Sequence, residues 1–268
     1  MEYRCEATSV EGFVQILACN YLPHGYWFYV TGHVPVGKDP RRVDEKILAK
    51  YNIALSRQQR ARRKQAGQAN LHYVRFGVFF VLLATHGRHP FFAEEAASLR
   101  DVRQVPIQFA GYSLSVKRGN FLQRESDQEP PSADGRHRVR VLIGRERFGE
   151  LQSHLLDLAT HRTVERLRWE FWNLPFEPYA PVRKQLLRVL RQMNAKRKAM
   201  GYERIPADVL RLRRRIVKPF DALGADHQKL ACRRGAGGES QGVSSGSPVS
   251  SAAVPHGGAV GSQPRSAL

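Results

Sequence analysis

The sequence predicts an α+β fold. A mixed or antiparallel sheet domain with flanking helices spans 1–144, a basic helical segment spans 145–220, and a disordered Gly/Ser/Pro-rich tail spans 221–268. Three observations predict it. Short β-branched and aromatic runs alternate with helix-period runs through the first half. From Arg145 onward only helical spacing recurs. The last 36 residues hold eight of the 22 glycines, no aromatic residue, no Ile and one Leu at the very end. Such a segment buries too little apolar surface to offset its ordering entropy.

The elements follow in order. Tyr3–Ala7 reads as a strand. Ser9 can cap a helix whose apolar positions are Phe13, Ile16, Leu17 and Tyr21, ended by Pro23-His24-Gly25. Tyr26–Val34 is aromatic and β-branched, a strand. Alternation across it either exposes two rings of Tyr26, Trp27, Phe28 and Tyr29 as a stacking platform or buries all four. Asp39-Pro40 opens a helix with Val43, Ile47 and Leu48 or Tyr51 inward, which leaves Asp44 and Glu45 as ordinary surface carboxylates. Ser56 starts a basic helix to Gln65. Leu71–Phe76 and Val78–Thr85 are strands around Gly77, and Val105–Phe109, Tyr112–Lys117 and Arg138–Ile143 are further strands. Arg118–Arg136, with Pro130-Pro131 and Asp134-Gly135, reads as a polar loop.

In the helical segment, Arg145–Ala159 places Phe148, Leu151, Leu155 and Leu158 on one face. A helix from Thr163 carries Val164, Leu167 and Phe171. After the Pro175, Pro178 and Pro181 linker, Pro181–Met200 aligns Val182, Leu186, Val189, Leu190 and Met193. A last helix is predicted over Pro206–Val217. The pair around Thr160-His161-Arg162 also admits a helix–turn–helix reading, with Arg162, Arg166 and Arg168 near a groove, although the usual small turn residue is missing.

Charge points to a partner. The 268 residues carry 43 Lys and Arg against 24 Asp and Glu, a net of +19. From Arg233 onward there are three Arg and one Glu, so +17 stays on the rest. Between Lys46 and Ala93 there is no acid, and Arg57, Arg60, Arg62, Arg63 and Lys64 cluster there. From Arg183 to Lys218, 13 bases face only Glu203 and Asp208. Lys184, Arg188 and Arg191 form a stripe opposite the apolar face of their helix, and Arg211, Arg213, Arg214 and Arg215 form a second cluster. One basic stripe ordinarily means a solvated face. Several agreeing stretches repel one another in the isolated fold and call for a polyanion. The preponderance of Arg favours nucleic acid, DNA or RNA, over an anionic membrane surface.

The longest apolar run, Val78–Ala84, is seven residues, far short of a membrane span. The opening Met-Glu-Tyr-Arg-Cys-Glu lacks a signal-peptide pattern. Cys5, Cys19 and Cys232 form no Cys-x-x-Cys pair, and a cytoplasmic location without membrane contact is expected.

One stretch suggests chemistry. In Thr85-His86-Gly87-Arg88-His89-Pro90, two histidines follow an apolar strand, with Glu94 and Glu95 just beyond. Neutral imidazoles and a carboxylate can hold a divalent metal that polarises a phosphodiester, and Tyr179 or Tyr202 would be the covalent nucleophile. This arrangement loosely resembles the HUH endonucleases of replication initiators and transposases, which carry His-hydrophobic-His on a central strand and a Tyr on a helix. The resemblance implies metal-dependent DNA strand cleavage in a mobile element or plasmid. The departure is the spacing: His86 and His89 are three apart, with Gly87-Arg88 between, so they do not share a strand face. Backbone or phosphate contacts are their other reading. Tyr179 lies in Pro-Phe-Glu-Pro-Tyr-Ala-Pro, a rigid elbow, and Tyr202 follows Gly201 in a turn. No GxxxxGK[ST], GxGxxG, GxSxG or HExxH is present, so ATP hydrolysis, dinucleotide redox work and serine hydrolysis lose their support. No cofactor beyond such a metal is expected. The expectation is a basic nucleic-acid-binding protein working through phosphate contacts. Its alternatives are a metal-dependent strand-cleaving enzyme and a non-catalytic ribonucleoprotein component.

Overall fold

A computed structural model describes residues 3–119, 122–123 and 132–221, and in it helices cover antiparallel sheets. The first sheet contains β1 (Phe28–His33), β2 (Leu71–Phe76), β3 (Phe79–Ala84) and β4 (Arg100–Asp101), in the order β2-β3-β1-β4. β2 and β3 form a tight hairpin in which Phe76 faces Phe79. Only Gly77 in its two-residue turn has positive φ, +57°, the form that wants glycine first. The second sheet holds β5 (Ile107–Phe109), β6 (Tyr112–Arg118) and β9 (His137–Ile143). Between β6 and β9, β7 (Leu122–Gln123) pairs with β8 (Ser132–Ala133). The stretch read as a polar loop therefore contains strand pairing at both ends.

The first helix starts where Ser9 predicts, its hydroxyl accepting the Gly12 N–H at 3.0 Å. It runs as α1 (Val10–Gln15) and then widens into a π-helix, Ile16–Tyr21. The remaining helices are α2 (Pro40–Lys50), α3 (Arg57–Gln65), α4 (Phe91–Glu94), α5 (Arg145–Leu158), α6 (Val164–Trp172) and α7 (Ala180–Ala199).

The first sheet is buried on both faces, which explains the unbroken apolar run through β3. Val81 and Leu83 join a cluster with Phe13 and Leu17 of the first helix, Val116 and Val141 of the second sheet, and Leu167, Val189 and Met193 of the helical segment. Leu82 and Ala84 join Tyr51, Ile53, Leu71, Tyr73 and Phe91 on the opposite face. Sheets and helical segment thus share one core, and the described residues form one compact unit. No helix among the described residues is long and apolar enough to cross a membrane.

Three further expectations are corrected. Tyr3–Ala7 is not a strand, because only Glu6 bridges Arg75 in parallel. The Tyr3 hydroxyl donates to Tyr73 O at 3.1 Å and accepts the Tyr73 N–H at 3.0 Å, taking the backbone groups a continuing ladder would need. Asp44 is not a surface carboxylate. It points under the sheet and receives Arg75 Nε at 2.9 Å, Arg75 Nη2 at 2.9 Å and the Tyr73 hydroxyl at 2.6 Å. Arg75, 2% exposed, also reaches Gly77 O at 2.6 Å and Glu6 at 3.3 Å.

The third correction concerns Pro206–Val217, which forms only a 3-10 turn, Ala207–Val209, followed by extended chain. A helix there would stack Arg211, Arg214 and Arg215 at repelling spacings. Instead the extended strap lets Arg211 donate to Phe176 O at 2.7 Å and Leu174 O at 3.1 Å. Further on, Gln15 brackets Val217 from both sides and Thr8 N–H reaches Pro219 O, tying the strap to the first helix. The tail predicted over 221–268 lies outside the described residues except for Asp221.

Candidate nucleic-acid interface

α7 presents the predicted stripe. Val182, Leu186, Val189, Leu190 and Met193 are buried, and Lys184, Arg188 and Arg191 are exposed. Gln185 fixes the helix's rotation by accepting the Ile143 N–H at 2.9 Å and donating to Ile143 O at 3.1 Å. The cations cannot roll inward without breaking both bonds.

α3 forms a second basic surface. Ser56 and Gln59 make a reciprocal capping box, so this strongly charged helix starts at a defined residue. Its five cations divide. Arg57, Arg62 and Lys64 are exposed, with no ion pair among the described residues. Arg60 donates to Ile53 O at 3.1 Å, and Arg63 leans on Asn52 O and Gln68.

The loop after β3 lies against the end of α3. Ala69 N–H donates to Arg88 O at 3.1 Å, and Arg88 N–H donates to Gly67 O at 3.0 Å. Gly87 makes this approach possible. Its φ is +134°, and a Cβ there would sit 2.5 Å from Ala69 N and Gln68 C. The exposed Arg88 is thereby added to the α3 surface.

The two histidines of that loop turn to different neighbours. His86 is exposed and meets the Phe28 ring edge-on at 4.8 Å. His89 accepts the Phe91 N–H on Nδ1 at 3.1 Å. Burial first, and then the Arg63 charge, hold its pKa below the ordinary imidazole value. Glu94 pairs with Lys50 at 2.8 Å, and Glu95 accepts the Tyr51 hydroxyl at 2.6 Å. Among the described residues, no three His, Cys, Asp or Glu gather as a metal-ligand set.

The tyrosines also differ. Tyr179 caps α7 with its ring 4.6 Å beneath the Arg214 guanidinium, and burial raises its pKa. Tyr202 is 48% exposed, in the turn after α7. Of the Arg211–Arg215 cluster, Arg213 is exposed with no ion pair among the described residues. Arg211 is internal, paired with buried Glu177 at 3.3 Å. Arg215 gives its backbone N–H to the same carboxylate at 2.8 Å.

Both helices of the helix–turn–helix reading form, and Arg162, Arg166 and Arg168 are exposed. Arg166 pairs with Glu170 at 2.9 Å and covers the Trp169 ring at 4.2 Å, and Arg168 pairs with Asp208 at 3.3 Å. Trp169 and Trp172 are both more than half exposed. Sequence reasoning passed over them, although they fall out of phase with Val164, Leu167 and Phe171. In the Tyr26–Tyr29 run, Tyr26 and Tyr29 are buried. Trp27 and Phe28 are half-buried, with Arg103 over the Trp27 ring at 4.6 Å.

One polar cluster lies inward. His72 Nδ1 is 2.9 Å from the Tyr3 hydroxyl, and its ring stacks on Tyr21 at 4.3 Å and meets Tyr26 at 4.8 Å. Burial, followed by the Arg60 charge, lowers its pKa to about 3.

No protein-family model, curated protein or solved structure matches this chain.

Proposed function

We propose that the protein binds nucleic acid through phosphate contacts made by the exposed faces of α3 and α7. The observation that carries this reading is the sorting of the cations. Arg75 and Arg211 are spent on internal carboxylates. Arg57, Arg62, Lys64, Lys184, Arg188, Arg191 and Arg213 remain exposed and without ion pairs among the described residues. Like charges held this way repel one another until a polyanion neutralises them. Binding releases the counterions condensed on the nucleic acid, so affinity falls steeply with salt.

Anisotropy titration of labelled oligonucleotides across a salt series tests the proposal. Log K falls linearly with log salt, and roughly six phosphate contacts would cost about a thousandfold between ~50 and ~200 mM salt. Absence of binding at low salt would contradict it.

A further inference from the structure

At the C-terminal end of α7 a groove is lined by Arg191, Asn194, Lys198, Tyr202 and Arg204. Three of these five are cations, none is a carboxylate, and one presents a half-exposed ring.

Local chemistry holds the groove in shape. Gly201, at φ +71°, takes the left-handed position that ends the helix, its N–H donating to Lys198 O at 3.1 Å. Tyr202 N–H closes the wider turn onto Arg197 O at 2.9 Å. Asn194 then clamps the returning chain, donating to Ile205 O and accepting the Ile205 N–H, both at 2.8 Å. Beneath them Arg197, 5% exposed, donates to Glu203 O, Ala159 O and Arg162 O, and its guanidinium lies 5.6 Å from the Tyr202 ring centre. Glu203 thus contributes a carbonyl to the scaffold, and its carboxylate does not line the groove. The backbone that carries the ring and the three cations is fixed before binding, which limits the ordering left to their side chains.

We propose that this groove takes one nucleotide unit of a single-stranded nucleic acid, its phosphate between Arg191, Lys198 and Arg204 and its base stacked on Tyr202. The proposal rests on the nucleic-acid reading above and narrows it. Arg and Lys in a groove whose lining holds no carboxylate fit a phosphate. An exposed tyrosine ring beside them fits the face of an unstacked base, which a duplex does not present. The half-exposed ring, with the Arg197 guanidinium 5.6 Å from its centre, leaves a face for stacking.

The full chain is titrated with labelled single-stranded oligo-dT and with the matching dA·dT duplex, using Tyr202→Ala, Tyr202→Phe and Lys198→Glu/Arg204→Glu. Tyr202→Ala is expected to weaken oligo-dT binding roughly tenfold and leave duplex binding unchanged, and Tyr202→Phe to keep wild-type affinity. Lys198→Glu/Arg204→Glu should lower both the affinity for oligo-dT and its salt slope. These two side chains are exposed and make no contact the groove's shape depends on, so this arm stands even if Tyr202→Ala loosens the turn. Wild-type affinity for oligo-dT in Tyr202→Ala or Lys198→Glu/Arg204→Glu, or equal losses on both probes in Tyr202→Ala, would overturn the groove assignment while leaving the broader function standing. Failure of the wild-type chain to bind either probe would overturn the broader function itself.

Discussion

Arg75 and Arg188 both lie in sequence stretches with a large surplus of bases, and the fold puts them to opposite uses. Arg75 projects from β2 of the first sheet, 2% exposed, locked to Asp44 and Glu6. Arg188 stands on the outer face of α7 with no ion pair among the described residues. A guanidinium inside a protein is costly unless its partner is in place, so the first contributes through its pair and fails without it. The exposed one adds little to the fold and repels its neighbours, and its value lies in what it can meet from outside. Glu177 with Arg211 repeats the buried arrangement under the strap, and the outer face of α3 repeats the exposed one.

The sharpest break in that contrast is Asp44→Asn. It leaves the buried Arg75 guanidinium with only the half-exposed Glu6 carboxylate as a charged partner and weakens the acceptor of the Tyr73 hydroxyl. A loss of about 3–5 kcal/mol is expected in denaturant unfolding. Replacing both partners, Asp44→Leu with Arg75→Met, should recover much of it. If Asp44→Asn unfolds like wild type, the buried pair is not what it looks to be.

pH gives the next effect. His72 has a folded pKa of about 3, against an ordinary value near 6.5. Above ~6.5 both folded and unfolded states hold it neutral, and its stabilising arrangement is complete. As pH falls toward 3 the unfolded chain takes the proton first, and stability drops by up to about 1.4 kcal/mol per pH unit. Urea unfolding at several pH values between 7.5 and 4 checks this, and His72→Phe should flatten the dependence. An identical pH profile in the variant would refute the assignment.

Gly87→Ala is smaller, about 1–3 kcal/mol, because it places a Cβ against the Gln68–Ala69 backbone at a φ that L-residues avoid. Thermal unfolding measures it. The same variant should weaken oligonucleotide binding if the seating of Arg88 beside α3 matters.

The sequence announced much of the fold and less of the charge sorting. Ser9, Ser56 and Asp39 cap helices as their types predict, and the apolar spacing of α7 gives its buried face directly. These are local signals with a short physical reach. Asp44 and Arg75 lie 31 residues apart, and only the crossing of α2 over β2 makes them partners. The strap after Val209 has the Arg-rich composition of a helix, while the deciding acceptors, Leu174 O, Phe176 O and Glu177, belong to another segment. The groove behind Tyr202 is intermediate. Gly201 marks a helix end, but the Asn194 clamp that brings Arg204 beside Lys198 depends on a turn closing over eleven residues.

The least effect on the fold should come from reversing Lys184, Arg188 and Arg191 to Glu. Exposed helix charges contribute little to stability, so the melting temperature should stay within a few degrees of wild type. That variant also tests the central claim most directly, through oligonucleotide affinity measured across a salt series beside wild type. The expected result is weaker binding with a salt slope reduced by up to about three phosphate contacts, on a fold that melts normally. An unchanged affinity and slope would contradict the account and remove α7 from the interface.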